Sequence, residues 1–284
     1  MSSPHRIHVL LGKALQAGQP SREFLGRLTT LADELQAETP PIGLALLGGQ
    51  GEAEAAWSWL NQHHADLLPP KNFCFFDLAS RDTIGNVSAL SAWLQETGWA
   101  SQVELNFIST SYHVDRLRLV DTYLRPQSLL NALRPSLADS SLHWTSAPFL
   151  PPQSSNPFVR CLAKIYLLGE RLLPLLINLE GILSGTLTSL HPLALREWDT
   201  ALATFQTPML NSLNEAPPFE TVCERVYKKI KQLQTWHRES LPSLLQTSSV
   251  HLPPVALLRD LLRELRTLTD LDQPHFDSLF SPPP

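Results

Sequence analysis

The first half of this chain repeats one pattern: a short apolar run of strand type, then a polar or glycine-rich turn, then residues with helical spacing. Runs at 7–11, 42–47, 73–76 and 103–108 each precede such a helix, with a weaker fifth run at 142–145. Strands alternating with helices specify parallel βα units, because a parallel strand must be reached by a crossover. We therefore expect an α/β fold with a parallel sheet of about five strands and helices on both faces over residues 1–150. Pro40-Pro41 and Pro69-Pro70 punctuate the units, and Gly98 is placed to stop the third helix. In the first helix Ser21 is a suitable cap, and Phe24, Leu28, Leu31 and Leu35 recur on one face. Ala53, Ala56, Trp57 and Leu60 do the same in the second helix, Val87, Leu90 and Leu94 in the third, and Val114, Leu117, Val120 and Leu124 in the fourth. Arg125-Pro126 ends the last of these.

Beyond a proline-rich loop at 148–157 the strand pattern disappears. Helical patterns separated by Pro192, Pro208, Pro217-Pro218, Pro242 and Pro253-Pro254 predict an all-helical extension over 151–284, packing on or beside the first domain. Its stripes Val222, Val226, Ile230 and Val255, Leu258, Leu261, Leu262, Leu265 fit either a core or a surface for a protein partner. The most apolar stretch, 162–183, contains Lys164, Glu170, Arg171, Asn178 and Glu180. It reads as a buried helix kinked at Pro174 and not as a membrane span. The last residues, 281–284, read as a frayed tail.

Composition narrows the function classes. With 43% hydrophobic and 17% charged residues the chain is of soluble globular type, and a formal charge of −5 without a basic stripe disfavours nucleic acid as a partner. Cys74, Cys161 and Cys223 are widely spaced and predict neither a disulfide framework nor a zinc site. No metal is expected, since His8, His63-His64 and His143 lack a second ligand at metal spacing. The N-terminus has no secretory pattern, so a cytoplasmic protein without membrane insertion is expected.

Chemistry concentrates where strands run into helices. Ser109-Thr110-Ser111-Tyr112-His113 leads from the fourth strand into a helix start, where unpaired N–H groups favour anions. His113 and Arg116 share one face near that helix start, a place where a cation gains from a bound anion. Ser109 lies beside them, but no acid completes a triad and Gly-x-Ser-x-Gly is absent, which disfavours a serine hydrolase. Gly49-Gln50-Gly51-Glu52-Ala53-Glu54 resembles half a dinucleotide turn, with Glu54 where the third glycine should stand, so a standard dinucleotide site is not expected. Glu54 could receive ligand hydroxyls, hold an amine, pair with an arginine, or simply favour the helix dipole. Thr83 and Asn86 stand three apart at the third helix start, where Thr83 could equally act as a cap. Arg27, next to Leu28, could bend over the first strand end or remain solvated.

Taken in order, Val9-Leu10-Leu11-Gly12, Pro20-Ser21 with Arg27-Leu28, Gly48-Gly49, Glu52-Ala53-Glu54, Thr83-x-x-Asn86 and Tyr112-His113-x-x-Arg116 resemble the YdcF/SanA/ElyC family over about residues 6–150. The resemblance implies a Rossmann-like domain of bacterial type, with S-adenosylmethionine bound in one branch and envelope or peptidoglycan-precursor roles in others. It implies a pocket using Gly12, Gly48 and Gly49 for close backbone approach, and Arg27, His113 and Arg116 for anionic groups. Glu54, Thr83 and Asn86 would serve hydroxyls or pocket geometry. The family's membrane-anchored members begin with an apolar segment that has no match here, so the soluble branch is the expectation.

The function expected is binding of a small phosphorylated or adenosyl-containing ligand: S-adenosylmethionine, a nucleotide or a precursor phosphate. Processing of a phosphoester or nucleotide is the associated enzymatic reading, with His113 as general acid or base. The alternative is a non-catalytic interaction or regulatory protein, linked to cell-envelope biogenesis, that docks a partner through its helical half. A methyltransferase ranks lower, because no acidic residue closes a second strand after a glycine-rich first turn.

Overall fold

The computed structural model describes residues 5–13, 15, 18–38, 42–49, 51–80, 83–99, 103–123, 142–148, 157–183, 196, 224–235 and 255–271. Within these segments some side chains, Arg116 and Val120 among them, lie outside the description. So do Leu124, Arg125-Pro126, the side chain of Cys161, Cys223, Val222, the proline punctuation at Pro192, Pro208, Pro217-Pro218, Pro242 and Pro253-Pro254, and the tail at 281–284. The described residues up to 148 form one compact unit and those from 157 to 271 a second.

In the first unit five strands, β1 (Arg6–Leu11), β2 (Ile42–Leu47), β3 (Cys74–Asp77), β4 (Glu104–Thr110) and β5 (Leu142–Ala147), form one sheet in the order β3-β2-β1-β4-β5. Every pairing is parallel. The helices α1 (Arg22–Ala37), α2 (Glu52–His63), α3 (Thr83–Glu96) and α4 (Ser111–Tyr123) make the crossovers. This is the Rossmann-like α/β architecture that the alternating pattern predicts.

Period-two alternation sorts the core into two layers. Leu10, Leu44, Leu46 and Ile108 pack against Phe24, Leu28, Leu31 and Leu35 of α1 and Ala53, Ala56 and Leu60 of α2. Ile7, Val9, Leu11, Ala45, Leu47, Leu105 and Phe107 face the other way, onto Val87, Leu90 and Leu94 of α3 and Leu117 of α4. All six residues of β2 are buried, as an internal strand covered on both faces requires. The chain thus changes face between β3 and β4, and connections leave β1 and β4 in opposite directions. That reversal falls at the C-terminal ends of β1 and β4, the place where open α/β sheets form a crevice.

Local signals account for the element ends. The Ser21 hydroxyl accepts the Phe24 N–H at 3.2 Å, starting α1 as expected. Gly98 stands at φ 71°, a left-handed conformation that lets Trp99 N–H close back on Leu94 O at 3.0 Å after α3. β4 extends two residues past the expected 103–108 run and places Ser109 and Thr110 inside the strand. β3 sits one residue later than expected and ends on Asp77.

In the second unit α5 (Pro157–Leu183) continues through Pro174, and α7 (Val255–Leu271) packs against it, with α6 over residues 224–235. Val255, Leu258, Leu261 and Leu265 are buried, as are Val226, Ile230 and Leu233 of α6. The described stripes of this half are therefore packed inward. No described helix is long and apolar enough to cross a membrane.

His8 and Asn106, paired across β1 and β4, are polar residues buried inside the sheet layers. His8 on β1 is wholly buried, its Nδ1 3.3 Å from the Asn106 amide nitrogen, while its Nε2 has no hydrogen-bond partner among the described residues. The Asn106 amide nitrogen also donates to Glu34 at 2.9 Å, and its carbonyl oxygen accepts from Thr145 at 3.0 Å. Burial pushes the imidazole down to about 4 from 6.5. The unfolded chain then binds the extra proton between those values, so stability rises with pH across that window and is lost as pH falls through it. The expected change is about 3 kcal/mol. Urea denaturation at pH 4.5 and 7.5 checks this: His8→Gln should show a clearly smaller difference than wild type, and an unchanged difference would contradict it.

Candidate functional site

The crevice between β1 and β4 is built on a buried ion pair. Glu23, in the first turn of α1, and Arg27, four residues on, lie on one helix face with Glu23 Oε1 3.0 Å from Arg27 Nη2. Both are almost wholly buried. Arg27 bends over the end of β1, where Nη1 donates to Leu11 O at 2.9 Å and Gly12 O at 2.8 Å, and Nε donates to Thr110 Oγ1 of β4 at 2.8 Å. Glu23 Oε1 in turn accepts from Thr110 Oγ1 at 2.7 Å and from the Tyr112 hydroxyl at 2.5 Å. One carboxylate and one guanidinium thereby tie α1, β1, β4 and α4 together. Arg27 directs these donors to the protein itself, which makes its observed role that of a brace.

Lys13, just past β1, brings its ammonium 3.4 Å from Glu23 Oε2 and 3.4 Å from the Tyr112 oxygen. Burial by itself would raise the Glu23 pKa. Lys13, Arg27 and the Tyr112 and Thr110 hydroxyls outweigh burial and hold it down at about 2.

The carboxylate wedged against the glycines is Glu52, the first residue of α2. A Cβ on Gly12 would overlap the Glu52 carboxylate and Leu47 O, and one on Gly48 would overlap the Glu52 carboxylate and Cβ. Gly49 lies so close to the Ser80 carbonyl, which accepts its N–H at 3.0 Å, that a Cβ there would collide with it. The close approaches at Gly12, Gly48 and Gly49 are thus made by the protein's own Glu52 and Ser80. Burial pushes the Glu52 pKa up, against the attraction of Arg27 and Lys13. Two carboxylates of one cluster are shifted in opposite directions, an arrangement that separates a permanent anion from a group able to take up a proton. Glu54, two residues on, is exposed.

At the start of α4, His113 is largely buried and its Nδ1 lies 2.8 Å from the Oγ of fully buried Ser109. Arg116 belongs to the same helix, but its side chain lies outside the described residues. Thr83 and Asn86, both partly buried, open α3 on the same C-terminal edge of the sheet, at the end of β3 and not of β1. Among the described residues the buried Asn86 carbonyl oxygen has no hydrogen-bond partner. Asp77 at the end of β3 accepts the Ala79 and Ser80 N–H groups at 3.2 and 3.1 Å through Oδ1, while its buried Oδ2 has no hydrogen-bond partner among the described residues. The structure therefore gathers Gly12, Arg27, Gly48, Ser109 and His113 around the β1–β4 crevice. It places Gly49, Thr83 and Asn86 along the neighbouring β2–β3 end.

Glu23, Glu52, Lys13 and Tyr112 complete the constellation that the site residues read from sequence leave partial. The Glu23–Arg27 spacing of four was the available signal for the first. The side-chain-free pair Gly12 and Gly48 was the signal for a large neighbour such as Glu52. Among the described residues no cluster of three His, Cys, Asp or Glu side chains could hold a metal ion. No protein-family profile, curated protein or solved structure matches the chain.

Removing one member of a buried pair strands the other charge, at a cost of about 3–5 kcal/mol. Glu23→Leu should destabilise the protein by that amount in urea denaturation; a loss below about 1 kcal/mol would contradict the bracing role, since exposed pairs give no more than that.

Proposed function

We infer that the crevice between β1 and β4 binds a small phosphorylated or adenosyl-containing ligand: S-adenosylmethionine, a nucleotide or a precursor phosphate. The observation that carries this reading is the buried Glu23–Arg27–Thr110–Tyr112 network at the point where the sheet changes direction. An apolar core would hold the strands together as well, so charged groups there are better accounted for by a ligand than by stability. Lys13 and the N-terminus of α4 supply attraction for anionic oxygens. The unpartnered acceptors of Asp77 and Asn86 offer hydrogen bonds to ligand hydroxyls or amines. The resemblance to the YdcF/SanA/ElyC family over residues 6–150 agrees with this reading, and a phosphoester or nucleotide reaction is its enzymatic form. A docking role for the helical half has less support, because the described stripes of α6 and α7 are buried.

Thermal-shift and calorimetric titration with S-adenosylmethionine, nucleotides, nucleotide sugars and polyprenyl phosphates test the proposal. At least one should stabilise the protein saturably, and Lys13→Ala should weaken that ligand about tenfold or more, the scale of a charge-assisted hydrogen bond. No saturable stabilisation by any of them would contradict it.

A further inference from the structure

Two carboxylates at the mouth of the sheet feel the same two cations, Arg27 and Lys13, and differ in their hydrogen bonds. Glu23 is wholly buried, yet Lys13, Arg27 and the Tyr112 and Thr110 hydroxyls hold it down at about 2. Glu52 is only partly buried, but Arg27 and Lys13 act on it through charge alone, so burial prevails and pushes it up. Among the described residues no side chain hydrogen-bonds to the Glu52 carboxylate, which leaves it short of water without donors in replacement. The turn before α2 fixes its place. Gly51, at φ 89°, lets the chain fold back so that Glu52 N–H reaches Gly49 O at 3.3 Å and Ala53 N–H reaches Gly48 O at 3.2 Å. The side chain then lies over the ends of β1 and β2, with Oε2 in the space that a Cβ on Gly12 or on Gly48 would need.

We propose that Glu52 is a ligand-binding residue, which makes the part of the crevice walled by Gly12 and Gly48 a site for a hydrogen-bond donor, a ligand hydroxyl or ammonium, and excludes anionic groups from it. A donor there supplies the bonds that the fold does not, whereas a phosphate oxygen would meet a like charge and leave the carboxylate lone pairs unused. The part that the sequence offers to Glu54, receiving hydroxyls or holding an amine, thus passes to Glu52, since Glu54 is exposed. This role rests on the ligand-binding reading and adds an orientation to it: the hydroxyl- or amine-bearing portion of the ligand lies at Glu52, and any phosphate lies away from it.

Calorimetric titration of the full chain uses three probes: adenosine, which carries donors and no charge; S-adenosylmethionine, which adds an ammonium; and sulfate, an anion without a donor. Glu52→Ala should weaken an adenosyl compound about tenfold or more, the scale of a hydrogen bond to a charged group, and should leave sulfate unchanged or tighter. Glu52→Gln then names the donor: a hydroxyl still finds the amide oxygen and the loss is small, whereas an ammonium loses its counter-charge and the loss matches that of Glu52→Ala. Equal weakening of sulfate, binding of sulfate with neither adenosyl compound, or weakening by Glu54→Gln and not by Glu52→Ala overturns the proposal while the ligand-binding reading stands. No saturable binding by wild type of any ligand named for the crevice overturns both. Stability of the protein alone is the second measurement. At pH 7.5 Glu52→Gln should be at least as stable as wild type in urea, because it removes an ion that the fold desolvates without hydrogen bonds. A loss approaching that of Glu23→Leu would make Glu52 a structural partner of the cations and overturn the proposal without any ligand.

Discussion

The buried contact between Glu23 and Arg27 fixes the geometry at the mouth of the sheet. Each partner is sealed from water, where an unpaired charge is prohibitive, so neither can reach this position without the other. Their other hydrogen bonds reach Leu11 and Gly12 at the end of β1 and Thr110 and Tyr112 at the β4–α4 junction. The pair thus converts a helix position into a fixed separation between two strand ends. Lys13 and Glu52 take their electrostatic surroundings from it.

Most of the architecture was written in the hydrophobic period. β1, β2 and the inward faces of α1, α2 and α3 follow from apolar spacing and a few end signals such as Ser21 and Gly98. The boundaries of β4 escaped that logic because Ser109 and Thr110 are polar in type yet buried, Ser109 hydrogen-bonded to His113 and Thr110 to Glu23 and Arg27. Hydropathy stops at such residues and the strand does not. The assignment of carboxylates shows the same limit. Glu52 and Glu54 stand two positions apart, which on a helix is about 200° of rotation, so one turns to the glycines and the other to solvent. Sequence alone gave their spacing but not the phase of α2 relative to β1.

Arg27 illustrates the difference between placing a residue and assigning its role. Sequence reasoning brings it to the first strand end, and the structure puts it there. Its donors, however, close on backbone carbonyls and Glu23. From sequence Arg27 could bend over the first strand end or remain solvated; the glutamate one turn earlier, which pairs with it, is what separates the two. Among the described residues the buried Asp77 Oδ2 and Asn86 Oδ1 have no hydrogen-bond partner, and burial pushes the Glu52 carboxyl up.

A double-mutant cycle between Glu23→Leu and Arg27→Met, read as unfolding free energy, tests the organising role of this pair most directly. The account predicts strong coupling, with the double variant more stable than the sum of the single losses allows by about 2 kcal/mol or more, because removing both charges leaves neither stranded. Additive losses would show that the two side chains act independently and that the strand ends are held by something else.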